Sequence, residues 1–142
     1  MSTLFSFRGV RALAVSAALL SGSSLALADE VKLTLTGAQE TPPVTTTATG
    51  TGALTVAADK SVSGTIKTTG MDGIMAHIHV GATGASGPPI VTLTKGADGT
   101  WSVPAGTKLT DEQYASYKAG NLYVNVHSAD HKPGEIRAQI KP

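Results

Sequence analysis

The chain of 142 residues contains no cysteine, and only 4% of its residues are aromatic and 15% charged. Without cysteine it can form no disulfide, and it offers no thiolate to a metal or a substrate. Its formal net charge is +1, and no basic stripe gives it the electrostatic footprint of a nucleic-acid-binding protein. Stability must therefore come from an apolar core and strand hydrogen bonds, and chemistry from side chains other than thiols.

The sequence also lacks an apolar run long enough to cross a membrane. A short apolar stretch, residues 12–20, follows two arginines and precedes the small-residue triplet Ala26-Leu27-Ala28. This layout predicts a secretory signal peptide over residues 1–28, cleaved after Ala28, with an uncleaved anchor as the alternative. The mature domain, residues 29–142, would then carry nine basic and ten acidic residues and lie in the periplasm or outside the cell.

Alternating apolar and polar residues predict an all-β mature domain. Turn residues separate short strands at regular intervals, and Thr110 with Gln113 forms a capping box for one short helix that ends at Gly120. This spacing predicts an antiparallel Greek-key β-sandwich or barrel, like those of immunoglobulins or superoxide dismutases. The predicted strands are Val31–Thr36, Thr49–Ala57, Val62–Thr68, Ile74–Val80, Ile90–Lys95, Thr100–Val103, Leu122–His127 and Glu135–Ile140.

All four histidines lie in two short motifs, His77-x-His79 and His127-x-x-x-His131. Alternation along the first strand places Ile74 with the core residues and Met75 with the two histidines on the opposite, polar face. Two imidazoles at that spacing can bind one metal ion. If the strands are neighbours, His127 converges on the pair, and His131 approaches from the adjoining turn.

Nitrogen donors without thiolate suit Cu(II), Zn(II) or Ni(II), and Met75 could add a soft ligand for Cu(I), although methionine more often fills gaps in a core. We predict copper as the ion, with zinc as the alternative. Asn125, Glu135 and Arg137 lie on the polar faces of the last two strands and are predicted to support the ligands. Two simpler interpretations stay open: the histidines have only a packing role, and Glu135 and Arg137 form a surface pair.

Six short motifs follow one another in a fixed order along the mature chain: Leu35–Pro43, Gly50–Gly52, Ala76–Gly81, Gly84–Pro88, Leu122–Ser128 and Pro133–Ile140. In this ordered set the chain resembles the CHRD domain, a module first described in chordin and widespread in secreted bacterial proteins. The resemblance covers nearly all of the mature chain and implies a secreted β-sandwich without a settled activity.

A more distant resemblance is to copper-zinc superoxide dismutase, which also has a His-x-His strand and a Gly-x-x-Arg near its C-terminus, here Gly134 to Arg137. The chain departs from that family because it lacks the disulfide cysteines and the long zinc-binding loop. The resemblance implies at most a copper half-site, with Arg137 as a cationic guide.

Three functions follow from these patterns. The first is an exported protein that binds copper through its histidines, for sequestration or delivery, with a further protein partner unknown. The second is a copper-only, dismutase-like enzyme, although no catalytic residue is identified. The third is a structural or adhesive module of the cell surface, in which the histidines are incidental.

Overall fold

The computed structural model describes residues 28–142, and the predicted signal peptide lies almost entirely outside the described residues. One sheet of nine strands, a short 3₁₀ helix at Gly37–Gln39 and the helix α1 (Asp111–Lys118) form the domain. The strands are β1 (Asp29–Thr36), β2 (Thr49–Val56), β3 (Val62–Thr69), β4 (Gly73–Val80), β5 (Pro89–Thr92), β6 (Thr94–Lys95), β7 (Thr100–Ser102), β8 (Leu122–Ser128) and β9 (Ile136–Ile140).

The sheet is antiparallel, in the order β5-β4-β8-β9-β1-β2-β3-β7-β6, and it curls into a nearly closed barrel. β1, β2 and β3 form a meander, whereas β4 joins the opposite side of the sheet and pairs with β8. The all-β prediction is confirmed. Aliphatic side chains from most strands fill the interior together with Trp101 and Tyr117, which are 2% and 1% exposed.

The helix follows its sequence signals. The Thr110 side chain accepts a hydrogen bond from the Gln113 backbone N–H, and the Gln113 side chain accepts one from the Thr110 N–H, as the capping box predicts. At the other end Gly120 has a φ of +75°, and it closes the helix with hydrogen bonds typical of a Schellman motif. Among the described residues no helix is long and apolar enough to span a membrane.

One predicted strand is wrong. The run Ile90–Lys95 divides at Leu93 into β5 and β6, which are the two edge strands of the sheet. Leu93 is buried at the seam, and its backbone N–H donates to the carbonyl of Ala76 in β4. A single residue therefore links the two edge strands, which lie at opposite ends of the strand order.

The expected position of Ile74 is also wrong. The pairing of β4 with β8 shifts between Gly73 and Met75, so Ile74 occupies a β-bulge and is 44% exposed instead of facing the core. A bulge inserts one extra residue and re-aims the side chains beside it. Beyond the bulge the alternation is regular, with Ala76 and Ile78 buried in the core.

Candidate metal centre

Three histidines converge on the outer face of β4 and β8. His77 and His79 come from β4 and His127 from β8, and one ligand nitrogen of each lies within 4.8 Å of the others. Sheet register explains the convergence, because Met75 pairs with His127 and His77 pairs with Asn125 across the two strands. Paired residues share one face of the sheet. Alternation along each strand predicted that His77 and His79 share a polar face, and the pairing of β4 with β8 brings His127 to them.

Backbone carbonyls fix the protonation of two of the rings. The Nδ1 of His79 lies 2.9 Å from the carbonyl oxygen of Gly87, and the Nδ1 of His127 lies 2.7 Å from that of Lys132. A carbonyl only accepts hydrogen bonds, so each Nδ1 carries a proton. The Nε2 of His79 has no hydrogen-bond partner among the described residues, whereas the Nε2 of His127 lies 3.1 Å from the Nδ1 of His77. Such carbonyl contacts orient metal-binding imidazoles in proteins.

The fit to a cation rests on one buried atom. The Nε2 of His79 is buried and has no hydrogen-bond partner among the described residues. The other two rings already contact each other, with His77 Nδ1 at 3.1 Å from His127 Nε2. A buried acceptor without a partner is costly, and a bound cation would satisfy it. The three nitrogens therefore suit a transition metal with imidazole ligands.

Burial keeps the two β4 histidines neutral at pH 7. Desolvation lowers the pKa of His77 below its ordinary value, and repulsion from His127 and His79 acts in the same direction. Desolvation also lowers the pKa of His79, against the hydrogen bond to Gly87, which raises it. Neutral imidazole is the form that binds metals, so both rings are ready to act as ligands.

A stacked layer supports His79 from the side of β9. The ring of Tyr123 lies parallel to that of His79, with centroids 4.7 Å apart, and the Arg137 guanidinium carbon lies 3.5 Å from the centroid of Tyr123. Arg137 also donates to the carbonyls of Ala85 and Ala82 at 2.8 and 3.0 Å. This stack ties the loop 81–88 to the sheet and holds the plane of His79.

The predicted surface pair of Glu135 and Arg137 is wrong. Arg137 is 1% exposed, and Glu135 is 8% exposed and accepts a hydrogen bond from the Thr46 hydroxyl at 2.7 Å. Alternation correctly separated the polar face from the core. It gave no sign that the loops 81–88 and 129–135 cover this face, because those contacts join residues far apart in sequence.

The remaining predicted site residues lie at different distances from the cluster. Asn125 is buried, and its side chain raises the pKa of His79 and lowers that of Glu40. His131 is not part of the three-histidine group, and it lines a separate cavity of about 150 Å³ with Asp130 and Pro133. Of the two histidines left open as third ligand, the structure brings His127 to the pair.

Sequence reasoning missed Glu40. Its carboxyl is buried, and both its Oε1 and the neighbouring Asn125 Oδ1 have no hydrogen-bond partner among the described residues. Desolvation raises the pKa of Glu40 against the opposing effects of Asn125, Arg137 and the Thr41 backbone. Glu40 lies within the motif Leu35–Pro43, which the sequence analysis did identify. No neighbouring residue, however, indicates that a carboxyl in a proline-containing loop is buried.

Replacing Glu40 with glutamine should stabilise the protein at neutral pH by about 1 kcal/mol. When folding raises the pKa of a carboxyl, the charged form of that carboxyl destabilises the folded state. The wild type therefore loses stability as the pH rises from the pKa of Glu40 in the unfolded chain through its pKa in the folded protein. The gain should shrink as the pH falls toward 4.5, the ordinary value for glutamate. Thermal melting of Glu40→Gln at pH 7.5 and 4.5 measures both effects.

The exposed residue Glu30 in β1 provides the matched control. Glu30→Gln should change the melting temperature little at either pH. A lower melting temperature for Glu40→Gln than for the wild type at pH 7.5 would show that the buried carboxylate stabilises the fold.

One glycine holds the covering loop against His79. A Cβ on Gly87 would lie 1.8 Å from the carbonyl oxygen of Val80, so no larger residue fits without moving the backbone. The Gly87 N–H donates to the Tyr123 hydroxyl at 3.2 Å, and its carbonyl accepts from His79. The glycine therefore allows the close approach that positions both rings.

The antiparallel barrel and its largely buried histidine cluster define an all-β domain with a candidate metal centre on its covered outer face. The family model for the CHRD domain matches residues 31–140, and the chain belongs to this family. Comparisons with curated proteins and with solved structures find no match. The match confirms the CHRD resemblance, whereas the similarity to superoxide dismutase stays a prediction.

Proposed function

We propose that the protein is an exported metal-binding protein whose histidines 77, 79 and 127 bind one transition-metal ion for sequestration or delivery. The carrying observation is the buried, unpartnered Nε2 of His79, which faces two further imidazoles. Carbonyl contacts hold the Nδ1 atoms of His79 and His127, so both rings are already oriented. The Nε2 of His79 is available to an ion as it stands, whereas binding through the Nε2 of His127 replaces its contact with His77.

Copper is the ion that we propose, with zinc as the alternative. Among divalent first-row metals, Cu(II) has the highest intrinsic affinity for nitrogen ligands. Within residues 28–142 the cluster contains three histidines and no carboxylate, so hard oxygen-preferring cations such as Mg²⁺ or Ca²⁺ are poorly matched. The same neutral donor set accommodates zinc, and only a direct comparison of affinities separates the two ions.

The site of action that we propose is the periplasm or the exterior of the cell. The support is the arrangement of the N-terminal segment, with two arginines, a short apolar run and the triplet at residues 26–28. Metal capture outside the cytoplasm agrees with a chain that lacks cysteine, since imidazoles are not consumed by oxidation to disulfides.

One experiment tests export and binding together. The full-length gene product, expressed with its N-terminal segment, should be recovered outside the cytoplasm. Its measured mass should equal that of a chain that begins at Asp29. Isothermal titration of this material with Cu(II) and then Zn(II) should show one equivalent bound, more tightly for copper. A His77→Ala/His79→Ala/His127→Ala variant should give no such heat. Absence of binding by the wild type at micromolar concentrations would contradict the proposed function.

A further inference from the structure

Met75, which lies next to the histidine cluster in the sheet, is exposed to solvent. Met75 is 45% exposed, and with Ile74 it forms the set of exposed large hydrophobic residues in the described part of the chain. Met71, four residues earlier, packs instead against the core. Single exposed apolar residues are normal, so the exposure of Met75 becomes informative only through its neighbours in the sheet.

The pairing of β4 with β8 places Met75 beside the histidines. Met75 pairs directly with His127 on β8, and it precedes His77 by two residues on β4. Directly paired residues have Cβ atoms about 5 Å apart, and residues two apart on a strand about 6–7 Å apart. Because methionine has three rotatable side-chain bonds, its sulfur can reach a cation held by both histidines.

The charge around the cluster favours a monovalent ion. The three imidazoles carry no negative charge, and within residues 28–142 no carboxylate joins them. The guanidinium of Arg137, a residue that is 1% exposed, lies 3.5 Å from the ring centroid of Tyr123, and that ring stacks on His79. A site with neutral ligands beside a fixed cation accommodates Cu(I) at a lower electrostatic cost than a divalent ion.

We infer that Met75 provides a thioether ligand that makes the histidine site a Cu(I) site, so that the ion carried is reduced copper. Thioether sulfur is a soft ligand that selects Cu(I) over Cu(II) and Zn(II), whereas imidazole binds all three. Exposure of Met75 leaves the sulfur accessible to a copper donor or acceptor at the surface. This inference rests on the proposed function, since it assigns an additional ligand to the same histidine site.

The test compares two methionine variants with the wild-type protein. Cu(I) affinity is measured under anaerobic conditions by competition with a chromophoric Cu(I) chelator, and Cu(II) and Zn(II) affinities are measured by titration. Met75→Leu keeps the size of the side chain and should weaken Cu(I) binding by about ten-fold or more, with Cu(II) and Zn(II) affinities changed by less than about two-fold. Met71→Leu is the control and should leave all three affinities unchanged.

X-ray absorption at the copper edge gives an independent readout. The Cu(I) form of the wild type and of Met71→Leu should show a sulfur neighbour of the copper, which Met75→Leu should lack. Equal Cu(I) affinity in the wild type and Met75→Leu, with no sulfur neighbour, would overturn the inference and leave the histidine site intact. Binding of zinc but not of copper would also overturn the inference, whereas failure of the wild type to bind either metal would overturn the proposed function itself.

Discussion

Replacing His127 with alanine should weaken copper binding by about 100-fold or more, because it removes a ligand whose geometry is already fixed. The Nδ1 of His127 is held by the Lys132 carbonyl at 2.7 Å, and its Nε2 lies 3.1 Å from His77. The two histidines of β4 alone would leave the ion with a two-nitrogen site. Titration of Cu(II) into purified His127→Ala measures the loss.

The matched control is His131→Ala, which removes the histidine that lies outside the cluster. It should change copper affinity by less than about two-fold, as substitutions away from a site usually do. A second variant, His127→Gln, preserves much of the side-chain volume and should lose copper as well, so that a packing defect is not mistaken for a lost ligand. Strong loss in His131→Ala with tight binding in His127→Ala would show that the third ligand is wrongly assigned.

The local features of the fold are those that the sequence predicts well. Val31, Leu33 and Leu35 alternate with polar residues, and all three are buried in β1. The capping box at Thr110 and the closing Gly120 fix the helix from within a few residues of each end. Such signals need only neighbouring residues, so they are readable without knowledge of the tertiary structure.

Features that depend on distant contacts were not predictable. The apolar run divides at Leu93 because the sheet curls into a barrel there. The backbone N–H of Leu93 donates a hydrogen bond to the carbonyl of Ala76 in β4, which lies 17 residues earlier in the sequence. The bulge at Ile74 depends on the register with β8. Local alternation describes a regular strand, and it cannot indicate where a partner strand imposes an irregularity.

The candidate site divides in the same way. The spacing of His77 and His79 fixes their common face, but the choice between His127 and His131 depends on the pairing of β4 with β8. The burial of Glu40 and Arg137 depends on which loops cover the sheet, and Arg137 is held there by carbonyls more than 50 residues away in sequence. No periodicity records such contacts.

Replacing Arg137 with alanine should destabilise the protein by about 3 kcal/mol or more. The substitution leaves a cavity beside Tyr123 and deprives the carbonyls of Ala82 and Ala85 of their donor. It also removes the support behind the ring that stacks on His79, so copper affinity should fall by about ten-fold even where the protein remains folded. Chemical denaturation and copper titration measure the two effects separately.

Arg137→Lys distinguishes the shape of the guanidinium from its charge. Lysine keeps the positive charge but cannot stack as a plane on Tyr123 while donating to two carbonyls, so it should recover only part of the lost stability. Alanine at the exposed Lys67 of β3 is the control, with an expected change within about 0.5 kcal/mol. If Arg137→Lys matched the wild type in stability and copper affinity, charge alone would matter at this position, and the stack from Arg137 through Tyr123 to His79 would have no part in holding the site.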